Sequence, residues 1–215
     1  MATKAQTASS ARPAGTREAI LDAAEKLFAE RGFAGTSVRD IVRDSHSSPP
    51  SLYHFFGSKE KLLVELVADR YASYCDALEA HLATAANAFE VCERVLDFTL
   101  TNMEQQPNTA KFLFSIMFGP QQDIPKEPLR DLLVRWELIV HRRLREVAPD
   151  VPDERIAFAR TMLNGLITPP VLLFLTSGTT GFPSELPRCF ALRVADALTD
   201  RHPVCALPSF SLDQD

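Results

Sequence analysis

Residues 37–59 read SVRDIVRDSHSSPPSLYHFFGSK, and this stretch predicts two short helices joined by a tight turn and followed by the start of a third. Ser37 is a helix cap, Asp40 stands at N3 where a negative charge suits the positive end of the helix dipole, and Val38, Ile41 and Val42 recur at helical spacing as an inward stripe. That predicts a helix of about two turns. After the polar turn Asp44–Ser45–His46–Ser47, Ser48 offers a second cap. Pro49 then falls at N1, where its missing N–H has no intrahelical partner to lose.

Around the second helix, Leu52, Phe55 and Phe56 share an arc of about 100° while Pro50, Ser51, Tyr53 and His54 occupy the opposite arc. The apolar set packs inward. The outward set adds little to stability in so short a helix, but it suits a groove lined with hydrogen-bond acceptors. Gly57 ends the helix as a left-handed C′ residue, and Ser58 caps a long following helix with Lys59 in its first turn.

Upstream, Thr16 caps a first helix whose buried stripe is Ile20, Ala24, Leu27 and Phe28, with Glu25, Lys26, Glu30 and Arg31 on a solvated face. Gly32 stops it, and Phe33 packs back on Phe28. The runs TREAILDAAEKLFAERGFAGTSVRDI and SLYHFFGSKEKLL, within Thr16 to Val67, resemble the DNA-binding domain of the TetR family of transcriptional regulators. The resemblance covers about a quarter of the chain. It implies an all-α fold, with an N-terminal three-helix helix-turn-helix domain and a C-terminal helical bundle for ligand binding and dimerisation. The expected boundaries are an arm over 1–15, the DNA-binding domain over 16–62, the bundle over 63–202 and a tail over 203–215.

The resemblance also implies site residues. Tyr53, Ser37 and Lys59 are expected mainly at phosphates, and Arg39, Pro50, Ser51 and His54 nearer base edges. Three departures from the family pattern stand out. His46 stands where the turn commonly has Gly, Ser47 where an apolar residue usually follows, and Pro49–Pro50 replace a more usual basic or small pair. His tolerates a left-handed backbone better than most non-Gly residues, so the turn survives with some strain.

Charge distribution fits a placed rather than an indiscriminate contact. The chain of 215 residues carries a net charge of −5. Residues 1–60 hold eight Lys/Arg against seven Asp/Glu, so the acidity lies in the remainder, and binding to DNA rests on a few positioned cations. Lys4, Arg12 and Arg17 make the N-terminal arm basic; it reads as a solvated tail or as a minor-groove or phosphate arm.

Cys75, Cys92, Cys189 and Cys205 form no C-x-x-C or Cys/His cluster, so no metal site is expected and free thiols are the reading. No signal-peptide core precedes the first helix, no run of about 18 apolar residues is seen, and no membrane partner is expected. The protein is read as cytoplasmic. Without a Walker loop, GxGxxG or HExxH, neither an enzyme nor a cofactor has positive support.

The rest of the chain is helical by period, over Phe89–Met103, Ala110–Phe118, Leu129–Val147, Glu154–Ser177 and Ser184–Thr199. Breaks fall at Gln106–Pro107, Gly119–Pro120, Pro149 to Pro152 and Gly178 to Pro183. Large flat or flexible side chains accumulate here. Phe98, Met103, Phe112, Met117, Trp136, Phe158 and Met162 read as core or, collectively, as the lining of an apolar cavity, with His141 and Asn164 as candidate orienting groups. The resemblance implies an inducer pocket of this kind.

Leu163 to Leu175, LNGLITPPVLLFL, is apolar nearly all round and calls for burial against another helix or subunit. The resemblance implies a homodimer with this segment, Phe190, Val194 and Leu198 at the contact. Pro169 and Pro170 predict a break in that helix.

The expectation is thus a transcriptional regulator, a homodimer that binds palindromic double-stranded operator half-sites and is a repressor released by a small apolar ligand. The alternative is a helical DNA-binding adaptor or nucleoid-type protein without a small-molecule switch.

Overall fold

The caps and breaks read above become element ends in a computed structural model, which describes residues 13–118, 134–177 and 186–199. The described residues are helical, with α1 Pro13–Arg31, α2 Val38–Asp44, α3 Pro49–Phe56, α4 Lys59–Leu82, α5 Ala88–Gln105, α6 Pro107–Phe118, α7 Arg135–Val147, α8 Asp153–Ser177 and α9 Leu186–Thr199. The breaks expected at Gly119–Pro120 and Gly178 to Pro183, the tail and Cys205 lie outside the described residues, as do Lys4 and Arg12. The expected start of the first helix at Thr16 is corrected to Pro13. A proline fits the first turn of a helix because the N–H it lacks is one of the unpaired donors there.

The described residues fall into two units. The first holds α1, α2, α3, α4 as far as Tyr74, and α6. Here α1 packs against α2, α3 and α6, and α2 against α3. Ile20, Leu21, Ala24 and Phe28 of α1 are buried with Ile41, Leu52, Phe56, Leu62 and Leu66, so the apolar period of each helix closes on one core. Phe33 does fold back, its ring 5.5 Å from that of Phe28.

Membership of α6 is a departure from the expected boundaries. Phe112, fully buried, stacks on Phe28 with ring centroids 6.3 Å apart, so it belongs to the core of the helix-turn-helix unit. The same packing corrects the reading of Glu25, which is 7% exposed rather than on a solvated face.

The second unit holds the rest of α4, α5 up to Glu104, and α7 to α9. Within it α7 packs on α8 and α8 on α9. The predicted break at Pro169–Pro170 is also corrected, because α8 runs through both prolines. The carbonyl that Pro169 deprives of a donor is that of Gly165, an exposed residue with open space where a Cβ would stand. A hydrated carbonyl tolerates the lost bond.

Exposure on α8 follows Thr161, Asn164, Gly165, Pro169, Leu172, Leu173 and Thr176, a stripe of helical period. On α9 the exposed positions are Cys189, Leu192, Arg193 and Asp196. Val194 and Leu198, expected at a subunit contact, are instead buried within the chain and Phe190 is half-buried. The α8–α9 packing claims that face of α9, and the apolar surface left over is Leu172, Leu173 and Leu192.

Between Asp153 and Phe174, α8 is also long and apolar enough by hydropathy to cross a membrane, so the expectation that no segment reaches that level is too strict. Its buried stripe of Ile156, Ala159, Leu163, Ile167 and Val171, and its packing on α7 and α9, are those of a bundle helix.

Candidate nucleic-acid interface

Local chemistry fixes the helix-turn-helix almost atom by atom. Ser37 Oγ accepts from the backbone N–H of Asp40 at 3.2 Å while Asp40 Oδ2 accepts from the Ser37 N–H at 3.1 Å, a reciprocal capping box. The Ser37 hydroxyl also donates to Asp40 Oδ2 at 2.5 Å. This bond, followed by the one from the Ser37 backbone, holds the Asp40 carboxyl below its ordinary range. Arg43 donates to the other carboxylate oxygen at 2.8 Å.

The turn is built on His46, whose φ of +50° makes it the non-glycine residue with positive φ among those described. Placing His46 in the left-handed region lets the Ser47 N–H reach back to Val42 O at 2.9 Å, a Schellman-type closure that satisfies an otherwise unpaired carbonyl. Ser47, with no apolar side chain for a staple, instead shares a 2.7 Å hydrogen bond with Ser45 Oγ. Ser48 caps α3, its side chain accepting from the Ser51 N–H, with Pro49 at N1. Gly57 ends α3 at φ +78°, its N–H donating to Tyr53 O.

The outward face of α3 carries Pro50, Tyr53 and His54, all exposed, with Tyr53 at 52%. Leu52 and Phe56 are buried and Phe55 is half-buried. Arg39 on α2 is exposed. These four outward residues offer a guanidinium, a phenol, an imidazole and a shape-defining ring, the means to contact phosphates and base edges.

Three other predicted contacts have intramolecular employment. The hydroxyls of Ser37 and Ser51 sit in the caps, Ser51 Oγ lying 2.9 Å from Ser48 Oγ. The ammonium of Lys59, expected at a phosphate, donates to Phe33 O at 3.0 Å and Thr36 O at 2.9 Å, and stands 4.1 Å from the centroid of the Phe33 ring. Arg17 of the basic arm pairs with Glu65 at 2.8 Å and lies over the Phe56 ring. The sequence gives the spacing of these cations but not the carbonyls they meet after folding. It also passes over Arg43 and Lys61, both exposed.

The candidate ligand residues divide between the two units. Phe112 and Met117 belong to α6 of the first, and the Met117 side chain lies outside the described residues. In the second, Met103 is 1% and Trp136 8% exposed, while Phe98, Phe158 and Met162 are half-buried. His141 keeps a buried Nδ1 without a partner, and its Nε2 lies 3.5 Å from Asp153. Asn164 is corrected as an interior orienting group, since it stands on the exposed stripe of α8. Clefts of about 380 Å³, lined by residues including Asp22, Glu25 and Thr109, and about 300 Å³, lined by residues including Glu79, Leu82, Ile139 and Arg142, use none of these candidates.

Cys75 and Cys92 are buried and Cys189 exposed, all as free thiols. Burial pushes the Cys92 thiol up to about 12, which keeps it unreactive. Among the described residues no group of three or more metal-binding side chains occurs.

Known proteins share this arrangement. The family model for bacterial regulatory proteins of the tetR family matches residues 20–66, which run from α1 into α4. The uncharacterised HTH-type transcriptional regulator YxaF of Bacillus subtilis is 28% identical over 171 residues, spanning 75% of this chain and 86% of its own. The HTH-type transcriptional repressor NicS of Pseudomonas putida is 40% identical over 62 residues, or 29% of each chain. The crystal structure of the transcriptional regulator FadR from Bacillus subtilis in complex with stearoyl-CoA superposes with a TM-score of 0.67 at 18% identity, covering 86% of this chain and 99% of that one. With the capping box, the left-handed turn and the outward face of α3 all in the matched segment, the chain carries the N-terminal DNA-binding domain of the tetR family of bacterial regulatory proteins.

Proposed function

We propose that the protein is a homodimeric, cytoplasmic repressor that binds a palindromic operator through α3 and leaves it when a small apolar ligand occupies the second unit. The observation that carries the DNA-binding half is the face of α3, where Pro50, Tyr53 and His54 are exposed while Leu52 and Phe56 anchor the helix from behind. A surface Tyr held by a rigid two-turn helix has no role in the core and reaches outward at fixed geometry. A homodimer doubles that helix at a set spacing, which is what two half-sites require.

The ligand half rests on the buried Met103 and Trp136 and the half-buried Phe98, Phe158 and Met162, all in the second unit, a set of side chains suited to an apolar guest. Relatives named as repressors, such as NicS, and the acyl-CoA bound by the B. subtilis FadR support repression and an apolar guest. Release follows if the guest favours a conformation whose two recognition helices no longer match the half-site spacing, by the difference in its affinity for the two states. No catalytic step is assigned.

Selection of bound fragments from genomic DNA tests the operator, and titration of the resulting complex with stearoyl-CoA as a probe tests the switch. Recovery of a palindromic site and its release by the probe are expected. Indiscriminate recovery of fragments, with no effect of apolar probes, would instead support the nucleoid-type alternative.

A further inference from the structure

We infer that the phosphate-neutralising cation beside the recognition helix is Lys61, and that Lys59 is a positioning residue that sets the loop in front of α2. The inference rests on the operator-binding reading above and assigns its charge to a different residue. A lysine ammonium has three donors and no acceptor. In Lys59 two of them go to Phe33 O and Thr36 O, and the ammonium also faces the Phe33 ring at 4.1 Å. Both carbonyls belong to the loop between α1 and α2.

That loop is tightly held. Phe33 is 8% and Thr36 1% exposed, and Thr36 Oγ1 is within hydrogen-bond distance of Leu27 O at 3.2 Å and Gly32 O at 2.9 Å. Ser37, the next residue, opens the capping box of α2. Turning Lys59 toward DNA would take its donor from Thr36 O, leave Phe33 O to the Thr36 N–H at 3.3 Å alone, and lose the ring contact, each a loss in a partly buried site. Its position at the start of α4 therefore clasps the loop that presents Ser37 and Arg39.

Lys61 has the opposite surroundings. It is exposed, and among the described residues no carboxylate is paired with its ammonium. Its side chain lies across Gly57, where an added Cβ would stand 3.6 Å from Cδ and 3.9 Å from Nζ. Gly57 is the C-cap of α3, its N–H donating to Tyr53 O. The ammonium of Lys61 thus stands at the C-terminal end of the recognition helix, beside its exposed cap residue. A cation there is also favoured by the negative end of the α3 dipole.

Salt dependence separates a cation at a phosphate from one that holds a loop, because only the first releases a counterion. Binding of wild type, Lys61→Met, Lys59→Met and Lys59→Arg to one selected operator fragment is measured across a series of salt concentrations. Lys61→Met is expected to reduce the slope of log affinity against log salt by about 0.9 for each bound head. Lys59→Met is expected to lower affinity tenfold or more at every salt concentration with the slope unchanged. Lys59→Arg should restore it, since a guanidinium can donate to both carbonyls and stack on the ring.

A loss of about 0.9 per head in Lys59→Met, or an unchanged slope in Lys61→Met, would overturn the assignment. Should Lys59→Met not fold, the exposed Lys61→Met decides the outcome by itself. Failure of the wild type to select any operator overturns the operator-binding reading, whereas a selective wild type with the wrong pair of slopes overturns only the roles given to these two lysines.

Discussion

Arg70 Nε donates to Glu25 Oε2 at 2.7 Å, and the second oxygen of that carboxylate accepts from Thr109 Oγ1. One carboxylate thus ties α1, α4 and α6 of the first unit together. Arg70 also pairs with Glu18 at 3.1 Å, Asp22 at 2.7 Å and Asp69 at 2.8 Å. Partial burial works against the charge of Arg70, but hydrogen bonds to Glu25 and Glu18 prevail and hold its pKa above the ordinary value. Desolvation raises the pKa of Asp22 even though Arg70 opposes it.

Removing Arg70 leaves Glu25 charged and buried, which is worse than never having had the pair. Arg70→Met is expected to cost about 3 kcal/mol, the lower end for breaking a buried ion pair because the Arg70 side chain retains 19% exposure. Glu25→Gln keeps shape and hydrogen-bonding capacity and should cost less. Urea denaturation of both variants checks the order. Equal losses would mean that the charge of Glu25 is immaterial to its burial.

His46→Gly tests the turn. A left-handed backbone costs a non-glycine residue roughly 1–2 kcal/mol, and His46 adopts it at φ +50° with its side chain exposed. Glycine removes that strain but enlarges the unfolded ensemble by about 0.4–1 kcal/mol, so a net gain of about 0.5–1 kcal/mol is expected in urea denaturation. A loss of stability would show that the imidazole itself holds the turn.

The order in which these features become legible follows from their range. Caps at Ser37, Ser48 and Ser58, stops at Gly32 and Gly57 and the stripe of α3 are decided within a few residues, so the sequence foretells them. Periodicity points Lys59 outward because its partners, Phe33 O and Thr36 O, are 26 and 23 residues away. By spacing alone Glu25 falls on a solvated face of its helix, because Arg70 and Thr109 lie 45 and 84 residues away. The helix runs on through Pro169–Pro170, and the exposed setting of Gly165 accounts for the bond lost at Pro169. On α9, periodicity identified an apolar face at Val194 and Leu198, but not that α8 of the same chain would take it.

The exposed remainder makes the subunit contact testable. Leu172 and Leu192 are 49% and 47% exposed in the single chain, so Leu192→Glu has no core to disturb and should yield a folded monomer in analytical ultracentrifugation. Cys189, exposed on the same helix, should react slowly with maleimide in the wild type and readily in that variant. Cys92, buried with its thiol raised to about 12, should stay unreacted in both native forms. A dimer that survives Leu192→Glu would move the contact elsewhere.

Tyr53→Ala tests the placement of α3. The side chain is half in solvent, so thermal unfolding should change little, within about 0.5 kcal/mol. Operator binding in a gel-shift assay should be abolished. A variant that still shifts the fragment at the wild-type concentration would place the recognition surface away from this face.

The capping box of α2 supplies a pH signature. Because the folded state holds Asp40 below its ordinary value of 3.8, chiefly through the hydrogen bond from the Ser37 side chain, the unfolded chain takes up this proton first as acid is added. The stability that the bond contributes is therefore fully present above the unfolded pKa and is lost as pH falls through the folded one. Asp40→Asn has no such proton to bind. The stability difference between wild type and Asp40→Asn should accordingly be constant from neutral pH down to about pH 5 and shrink below about pH 4, as followed by urea denaturation at each pH. A difference that stays constant to about pH 2.5 would show that Ser37 and Asp40 cap α2 by geometry alone, with no contribution from the carboxylate charge.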